Sequence, residues 1–251
     1  MSKSKKHILL YSLTGMVILL IVSFTSTRNE ERQIENIDIE ISEAEGLLFT
    51  DDEEVLDLMT EKSADYVIGV QVEELDPKIL EERVELNPFV KDAQVFRDLK
   101  GNLQVLVEQS KPIARYFVDG KNDKYIDGDG RVLPIHSKYT ARVPIVESEL
   151  EWMWDQNLTE TKYGKQVLAL IHFISEDAFW NAQIAQIILK KDGEVDLLPQ
   201  VTKQIVHFGY PEHFEVKFSK LMTFYKEILP IKGWNSYTAV DLKYENQIIC
   251  K

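Results

Sequence analysis

Few residues of this chain have the types and spacing that catalysis or metal binding requires. The stretch Asp127-Gly128-Asp129-Gly130 resembles the start of a calcium loop, but position 12 of that loop would be Lys138, which cannot bind a cation. His207 and His213 are close in sequence, yet no acidic or thiol ligand pattern accompanies them. Cys250 has no recognisable histidine-based constellation around it. We therefore predict a hairpin turn at residues 127–130, and neither a metal site nor a cofactor site.

The sequence also lacks the motifs of the common enzyme classes. It contains no G-x-S-x-G, H-E-x-x-H, G-x-x-x-x-G-K-[ST] or paired C-x-x-C motif. We predict from this that the protein is not an enzyme, that it has no catalytic residues and that it takes no small-molecule substrate.

One apolar run near the start of the chain has the length and flanks of a membrane anchor. It extends from Ile8 to Phe24, follows three lysines and precedes two glutamates. An apolar helix of about 20 residues spans a bilayer, and the basic flank stays in the cytoplasm. We predict a cytoplasmic tail at 1–7, a single transmembrane helix at 8–27 and a periplasmic C-terminal part, a type II protein of the inner membrane. A cleaved signal peptide is the alternative, but no clear small-residue cleavage site follows the run.

Charge is unevenly distributed along the 251 residues. The net charge is +3 over residues 1–33, −14 over 34–111 and −2 over 112–251, which gives −13 for the chain. This acidic balance argues against nucleic acid as a partner. The change at Lys111-Pro112 predicts a domain boundary between 34–111 and 112–251. Because Cys250 is the single cysteine, neither domain has an intramolecular disulfide.

The first domain has the pattern β-α-α-β-β. Alternating isoleucines at residues 34–41 predict a strand, and Thr50 with Glu53 fits the capping box of a first helix. Asp76-Pro77 predicts the start of a second helix, which Asn87-Pro88 stops. Strands are predicted at Val90 to Arg97 and Leu103 to Glu108.

The second domain is predicted to be a mixture of strands and two long helices, so the fold class is α+β. The helices are Tyr163 to Ile174 and Glu212 to Leu229, both with apolar residues at helical spacing. A hairpin is predicted across Asp192-Gly193. The last two strands, Tyr237 to Tyr244 and Gln247 to Cys250, are predicted to meet at Glu245-Asn246.

Four stretches of the sequence resemble a known family. Leu86 to Val95, continuing through Asn102 to Ala114, resembles the signature of a POTRA domain, with N-P, V-x-x-A-x-V and N-x-L-x-V-x-V-x-E-x-x-P-x-A elements. Lys124 to Pro134 is similar to the Y-x-I-D-x-x-G-x-V-L hairpin of the FtsQ/DivIB cell-division family. Gly209 to Glu227 and Ala239 to Tyr244 are similar to that family's K-x-x-x-L-x-x-F-Y and V-D-L-[KR]-Y stretches. With the predicted anchor, the resemblance covers essentially the whole chain.

The resemblance implies a non-enzymatic scaffold of the bacterial divisome. Such proteins lie at the division septum, bind FtsB-like and FtsL-like proteins outside the cytoplasmic membrane and affect septal peptidoglycan synthesis. The implied binding segment is Tyr237 to Ile249, as a sheet edge to which a partner strand adds. Tyr244 matches the family position associated with partner contact, and the other candidate contacts in this segment are Tyr237, Leu242, Lys243 and Ile248.

Three other functions are compatible with parts of this pattern. A POTRA-containing chaperone or assembly factor for outer-membrane or secreted proteins would require further POTRA copies or a barrel, and the sequence has neither. An anchored enzyme that acts on the cell wall would require a nucleophile–base set or a metal site. A structural scaffold unrelated to division would differ only in its cellular location.

Overall fold

The structure is a computed structural model that describes residues 14–19, 33–42, 48–61, 67–71, 75–98, 101–150, 153 and 156–251. The chain divides into two compact units: unit 1 comprises residues 1–43 and 50–109, and unit 2 comprises residues 44–49 and 110–251. Of the predicted anchor at 8–27, residues 14–19 are helical and the rest lies outside the described residues. In the parts of the chain that are described, no helix has both the length and the apolar character needed to cross a membrane.

Unit 1 has the predicted β-α-α-β-β order. Its elements are β1 (Ile37–Ile41), α1 (Asp52–Met59), α2 (Pro77–Val84), β2 (Val90–Arg97) and β3 (Leu103–Gln109). The strands form a sheet in the order β1-β3-β2, with β1 parallel and β2 antiparallel to the central β3. Buried residues of both helices pack on inward residues of β2 and β3, among them Val55, Leu80, Val95 and Val105.

The helices of unit 1 start at capping residues. Asp76 caps α2 through its carboxylate, which accepts a hydrogen bond from Lys78 N–H, and Pro77 follows as predicted. The predicted cap of α1 is wrong by one residue, because Asp51 and not Thr50 accepts from a backbone N–H, that of Glu54. Thr50 instead donates its hydroxyl to the Glu54 carboxylate at 3.0 Å. Asp51 can take the capping position because an aspartate accepts a hydrogen bond from the helix N-terminus at least as well as a threonine does.

Unit 2 contains nine strands within the described residues, and they form one sheet. The strands are β4 (Pro112–Phe117), β5 (Lys124–Asp127), β6 (Val132–Pro134), β7 (Ile145–Ser148), β8 (Ile184–Leu189), β9 (Val195–Pro199), β10 (Ile205–Gly209), β11 (Ala239–Asp241) and β12 (Ile249–Cys250). Their order is β12-β11-β10-β9-β8-β7-β4-β5-β6, so β12 and β6 are the two edges. The pairs β4-β7, β7-β8 and β10-β11 are parallel, and the other five are antiparallel.

The helices of unit 2 cover the sheet with their apolar residues. They are a 3-10 turn (Leu158–Glu160), α3 (Lys162–Glu176), α4 (Ala178–Gln183), α5 (Phe214–Thr223), a π-helical turn (Phe224–Ile228) and α6 (Leu229–Lys232). Ile171 of α3 and Leu221 of α5 are fully buried in one cluster with Ile187, Leu197 and Val206 of the sheet. Because α5 lies in this cluster, its position relative to the last strands is fixed by core packing.

Candidate partner-binding surface

Strand β12 is one of the two edges of the sheet in unit 2. It pairs with β11 through two residues, Cys250 opposite Val240 and Ile249 opposite Asp241. The N–H of Lys251 donates to the Ala239 carbonyl at 2.9 Å. Since backbone groups alternate in direction along a strand, the N–H and C=O of Cys250 face away from β11. No described strand pairs with β12 on that outer side, so a short edge is open to an added strand.

The segment between these two strands is a turn. The strand predicted from Tyr237 to Tyr244 is present only at Ala239–Asp241, and the one predicted from Gln247 to Cys250 only at Ile249–Cys250. The Asp241 carboxylate accepts a hydrogen bond from the N–H of Lys243 at 3.0 Å. An aspartate that bonds to the backbone two residues later mimics a turn and competes with the strand ladder. Tyr244 therefore lies in the turn of residues 242–248, which we call the terminal turn, and not in a strand.

A lysine from α5 holds the terminal turn in place. The ammonium group of Lys220 donates to the carbonyl oxygens of Leu242 and Tyr244, each at 2.6 Å. Burial lowers the pKa of Lys220, while Asp241 and Glu245 act in the opposite direction. Two carbonyls on either side of Lys243 are thus bonded to one amine, and this fixes the backbone that carries the Tyr244 ring.

Lys243 gives the turn a second attachment. Its ammonium lies 3.2 and 3.3 Å from the carboxylate oxygens of Glu194. This hydrogen bond is the largest cause of the raised pKa of Lys243, and it outweighs the lowering effect of burial. Its aliphatic stem crosses Gly209, where a Cβ would lie 2.7 Å from the Lys243 Cγ. A glycine at the end of β10, with φ of +77°, thus leaves the space in which this stem lies.

The five predicted contact residues differ in their exposure. Tyr244 is 47% exposed, which makes its ring the largest accessible group of the terminal turn, and Lys243 is also exposed. Tyr237 and Ile248 are half-buried, and the Tyr237 ring packs on Phe224 with centroids 5.9 Å apart. Leu242 is fully buried in the core of unit 2. Its side chain stabilises the sheet, and only its carbonyl reaches the turn.

A groove runs between α5 and the terminal turn. Its volume is about 730 Å³, and its lining residues are Glu215, Val216, Ser219, Lys220, Thr223, Ile228, Glu245, Asn246, Gln247 and Ile248. Val216 is 56% exposed although it is apolar, and it lies on the side of α5 that faces away from the core. The residues that the sequence prediction missed are therefore Val216 and Lys220. The isolated valine on the polar face of α5 was the available signal.

The described residues show no arrangement for catalysis or metal binding around this surface. Among them, no group of three or more histidine, cysteine or acidic side chains is placed to hold an ion. Burial raises the pKa of the Cys250 thiol, which favours the protonated form over the nucleophilic thiolate. The Asp127–Gly130 turn is closed by its own bonds, since the Asp127 carboxylate accepts from Asp129 N–H and Arg131 N–H at 3.0 and 2.8 Å.

The chain matches known proteins over both units. Residues 111–251 match the family model described as FtsQ/DivIB, C-terminal related, and residues 32–108 match that of the POTRA-like domain. The cell division protein FtsQ of Rhodothermus marinus (strain ATCC 43812 / DSM 4252 / R-10) is 24% identical over 187 residues, which cover 73% of this chain and 68% of that protein. The first match spans more than half of the chain, so the resemblance is confirmed: the chain belongs to the FtsQ/DivIB family and carries a POTRA-like domain ahead of the family's C-terminal domain.

Proposed function

We propose that this chain is a non-enzymatic scaffold of the bacterial division machinery that binds FtsB-like and FtsL-like proteins through the surface formed by β12, the terminal turn and the adjoining groove. One observation carries the proposal: Tyr244 is held in an exposed position next to a sheet edge that no described strand occupies. Family membership supports the division role. Tyrosine, with an apolar ring and a polar tip, is a frequent anchor of protein interfaces.

Binding at this surface combines two kinds of contact. A partner strand beside β12 gains backbone hydrogen bonds, but a strand of two residues offers few of them. Most of the affinity must therefore come from side chains, with Val216 in the groove and Tyr244 in the adjoining terminal turn as exposed apolar contacts. We infer that the partner presents an extended segment to β12 and an apolar residue to the groove.

The location of the protein forms part of the proposal. The apolar run from Ile8 to Phe24 acts as the anchor, with the N-terminus in the cytoplasm and both units in the periplasm at the septum. Partner binding there helps to control septal peptidoglycan synthesis. Hydrolysis of purified peptidoglycan by the protein alone would contradict the non-enzymatic part of this proposal.

The test is a calorimetric titration of the full chain in detergent with the periplasmic regions of the host's FtsB-like and FtsL-like proteins. Tyr244→Ala and Tyr244→Glu should weaken binding at least about 30-fold, the loss typical of an interface hot spot. Tyr139→Ala is the matched control, because Tyr139 is 37% exposed but follows β6 at the other edge of the sheet. Circular dichroism checks that each variant is folded. Unchanged affinity of the two Tyr244 variants would contradict the proposal.

A further inference from the structure

The three-stranded sheet of unit 1 has its own edge at β2, and side chains from α2 and its C-cap residue occupy part of that edge. The Val95 N–H donates to the Glu81 carboxylate at 2.8 Å, and the Ala93 N–H donates to the Glu85 carboxylate at 3.4 Å. We call Glu81 and Glu85 the guard of β2. Both bonds join α2 or its C-terminal cap residue to backbone groups with which no described strand pairs.

The register of the sheet explains why these two N–H groups point outward. Leu103 N–H donates to Asn36 C=O, and Val107 C=O accepts from Ser42 N–H, so these residues of β3 direct their backbone groups toward the β1 side. Ala93 lies opposite Val107. Its N–H and C=O therefore face away from β3, and those of Val95, two residues later, do the same.

The guard fits the edge because the spacing of its two carboxylates along the helix axis matches the spacing of the two N–H groups along the strand. Four residues of helix rise about 6 Å, and two residues of an antiparallel strand extend about 7 Å. Glu81 lies on α2, and Glu85, four residues later, is its C-cap in helical conformation. Val95 and Ala93 are two apart on β2, which runs the opposite way. Consecutive carboxylates of one helix face thus reach consecutive outward N–H groups of the strand.

We propose that the guard makes β2 a selective docking edge, which admits an extended segment with basic side chains and excludes an acidic one. An added strand must offer carbonyl oxygens to the N–H groups of Ala93 and Val95, and so it displaces both carboxylates. The displaced Glu81 and Glu85 then require new partners, which lysine or arginine side chains of the incoming strand supply. The region 34–111 carries a net charge of −14, which further favours a basic partner.

The first measurement needs no ligand. In the full chain, the double variant Glu81→Ala/Glu85→Ala should increase hydrogen exchange of the Val95 and Ala93 amides about tenfold, the effect of losing one hydrogen bond. Glu53→Ala/Glu82→Ala is the charge-matched control. Both residues are exposed on the helices of unit 1, and replacing them removes the same net charge as replacing the guard. Unchanged exchange in the guard variant would overturn the proposal.

The second measurement tests selectivity with two synthetic peptides, TKVKVKT and TEVEVET, followed by NMR shifts at residues 90–97. The wild type and the Glu53→Ala/Glu82→Ala control should bind the basic peptide at least about tenfold more tightly than the acidic one. In Glu81→Ala/Glu85→Ala, the affinities for the two peptides should differ by no more than about threefold. Glu81→Gln/Glu85→Gln keeps the acceptor oxygens, so the Val95 and Ala93 amides should still exchange slowly, but the preference for the basic peptide should be lost. An equal ratio in the guard variant and its control would refute the proposal. Neither measurement involves the Tyr244 surface, so each proposal can fail separately.

Discussion

Replacing Lys220 by methionine should weaken partner binding and leave the fold of unit 2 intact. Methionine keeps most of the aliphatic stem but removes the amine that bonds to the carbonyls of Leu242 and Tyr244 at 2.6 Å. The stem lies partly exposed at the rim of the groove, so little core packing is lost. The terminal turn would keep its covalent ends at β11 and β12 but lose the contact that orients Tyr244.

The magnitude follows from the order that the partner must then restore. Fixing the backbone of one residue costs about 1–2 kcal/mol, and Lys220 fixes the residue that carries the exposed ring. If binding has to order Tyr244 again, the dissociation constant should rise about 5- to 30-fold. The loss of affinity should arise mainly from a smaller fraction of binding-competent molecules, because a disordered turn presents the Tyr244 ring in the binding position only part of the time.

The assay is the same titration with FtsB-like and FtsL-like periplasmic regions, with Lys226→Met as the matched control. Lys226 is exposed on the next turn of the same helical segment and does not line the groove beside the terminal turn. Circular dichroism and urea unfolding confirm that both variants are folded. Equal affinities of the Lys220→Met and Lys226→Met variants would show that Lys220 does not position Tyr244, and would refute the reasoning.

Three residues, Asp127, Lys217 and Gly164, give further predictions about stability, each measured by urea unfolding. Asp127→Ala should cost about 2 kcal/mol because the N–H groups of Asp129 and Arg131 lose their acceptor, whereas Asp127→Asn keeps it. Burial raises the Asp127 pKa, so the stability that this carboxyl contributes should be lost as pH rises from about 3.9 through the raised native value, a loss that the asparagine variant should lack. Burial lowers the pKa of Lys217, so the free energy of unfolding of the wild type should rise with pH between that lowered value and about 10.4. The rise should be steeper than in Lys217→Met, and identical slopes of unfolding free energy against pH would contradict this. Gly164→Ala should cost about 3 kcal/mol, since its Cβ would lie 2.1 Å from the Leu158 carbonyl oxygen. A gain in stability, the usual effect of this substitution in an exposed helix, would contradict it.

The elements that local signals specify could be predicted from the sequence. The Asp76-Pro77 start of α2 and the hairpin across Asp192-Gly193 depend on neighbouring residues alone, and the structure has both. The helix predicted from Glu212 to Leu229 begins at Phe214, after His213 in a left-handed conformation, and continues to Lys232. Its extension past Pro230 follows a π-helical turn, which removes the conflict that proline creates in a regular helix.

Strand β7 was not predicted, because no local sequence pattern indicates a strand at these residues. It has four residues, and Val146 is fully buried between two parallel neighbours, β4 and β8. Pro144 precedes a short run of two apolar residues, a pattern that does not distinguish a strand from a loop. Parallel pairing joins residues far apart in the chain, so the joining of the strands into one sheet could not be derived from periodicity.

The candidate surface was predictable only in part. Tyr244 came from the family resemblance, and Asp241 offered a local signal for the turn that follows β11. The bond from Lys220 and the groove beside Val216 depend on the packing of α5 against the sheet, which no sequence spacing reveals. The guard on β2 likewise joins Glu81 of α2 and its C-cap residue Glu85 to strand residues that come 14 and 8 residues later.

Photocrosslinking in dividing cells tests the central proposal most directly. The full chain would carry benzoylphenylalanine in place of Tyr244 or, as a control, in place of Tyr139 at the other edge of the sheet. We predict that irradiation joins the chain to the host's FtsB-like protein from position 244 and not from position 139. Adducts of equal yield from both positions, or none from position 244 in cells that divide normally, would contradict a partner-binding surface at the terminal turn.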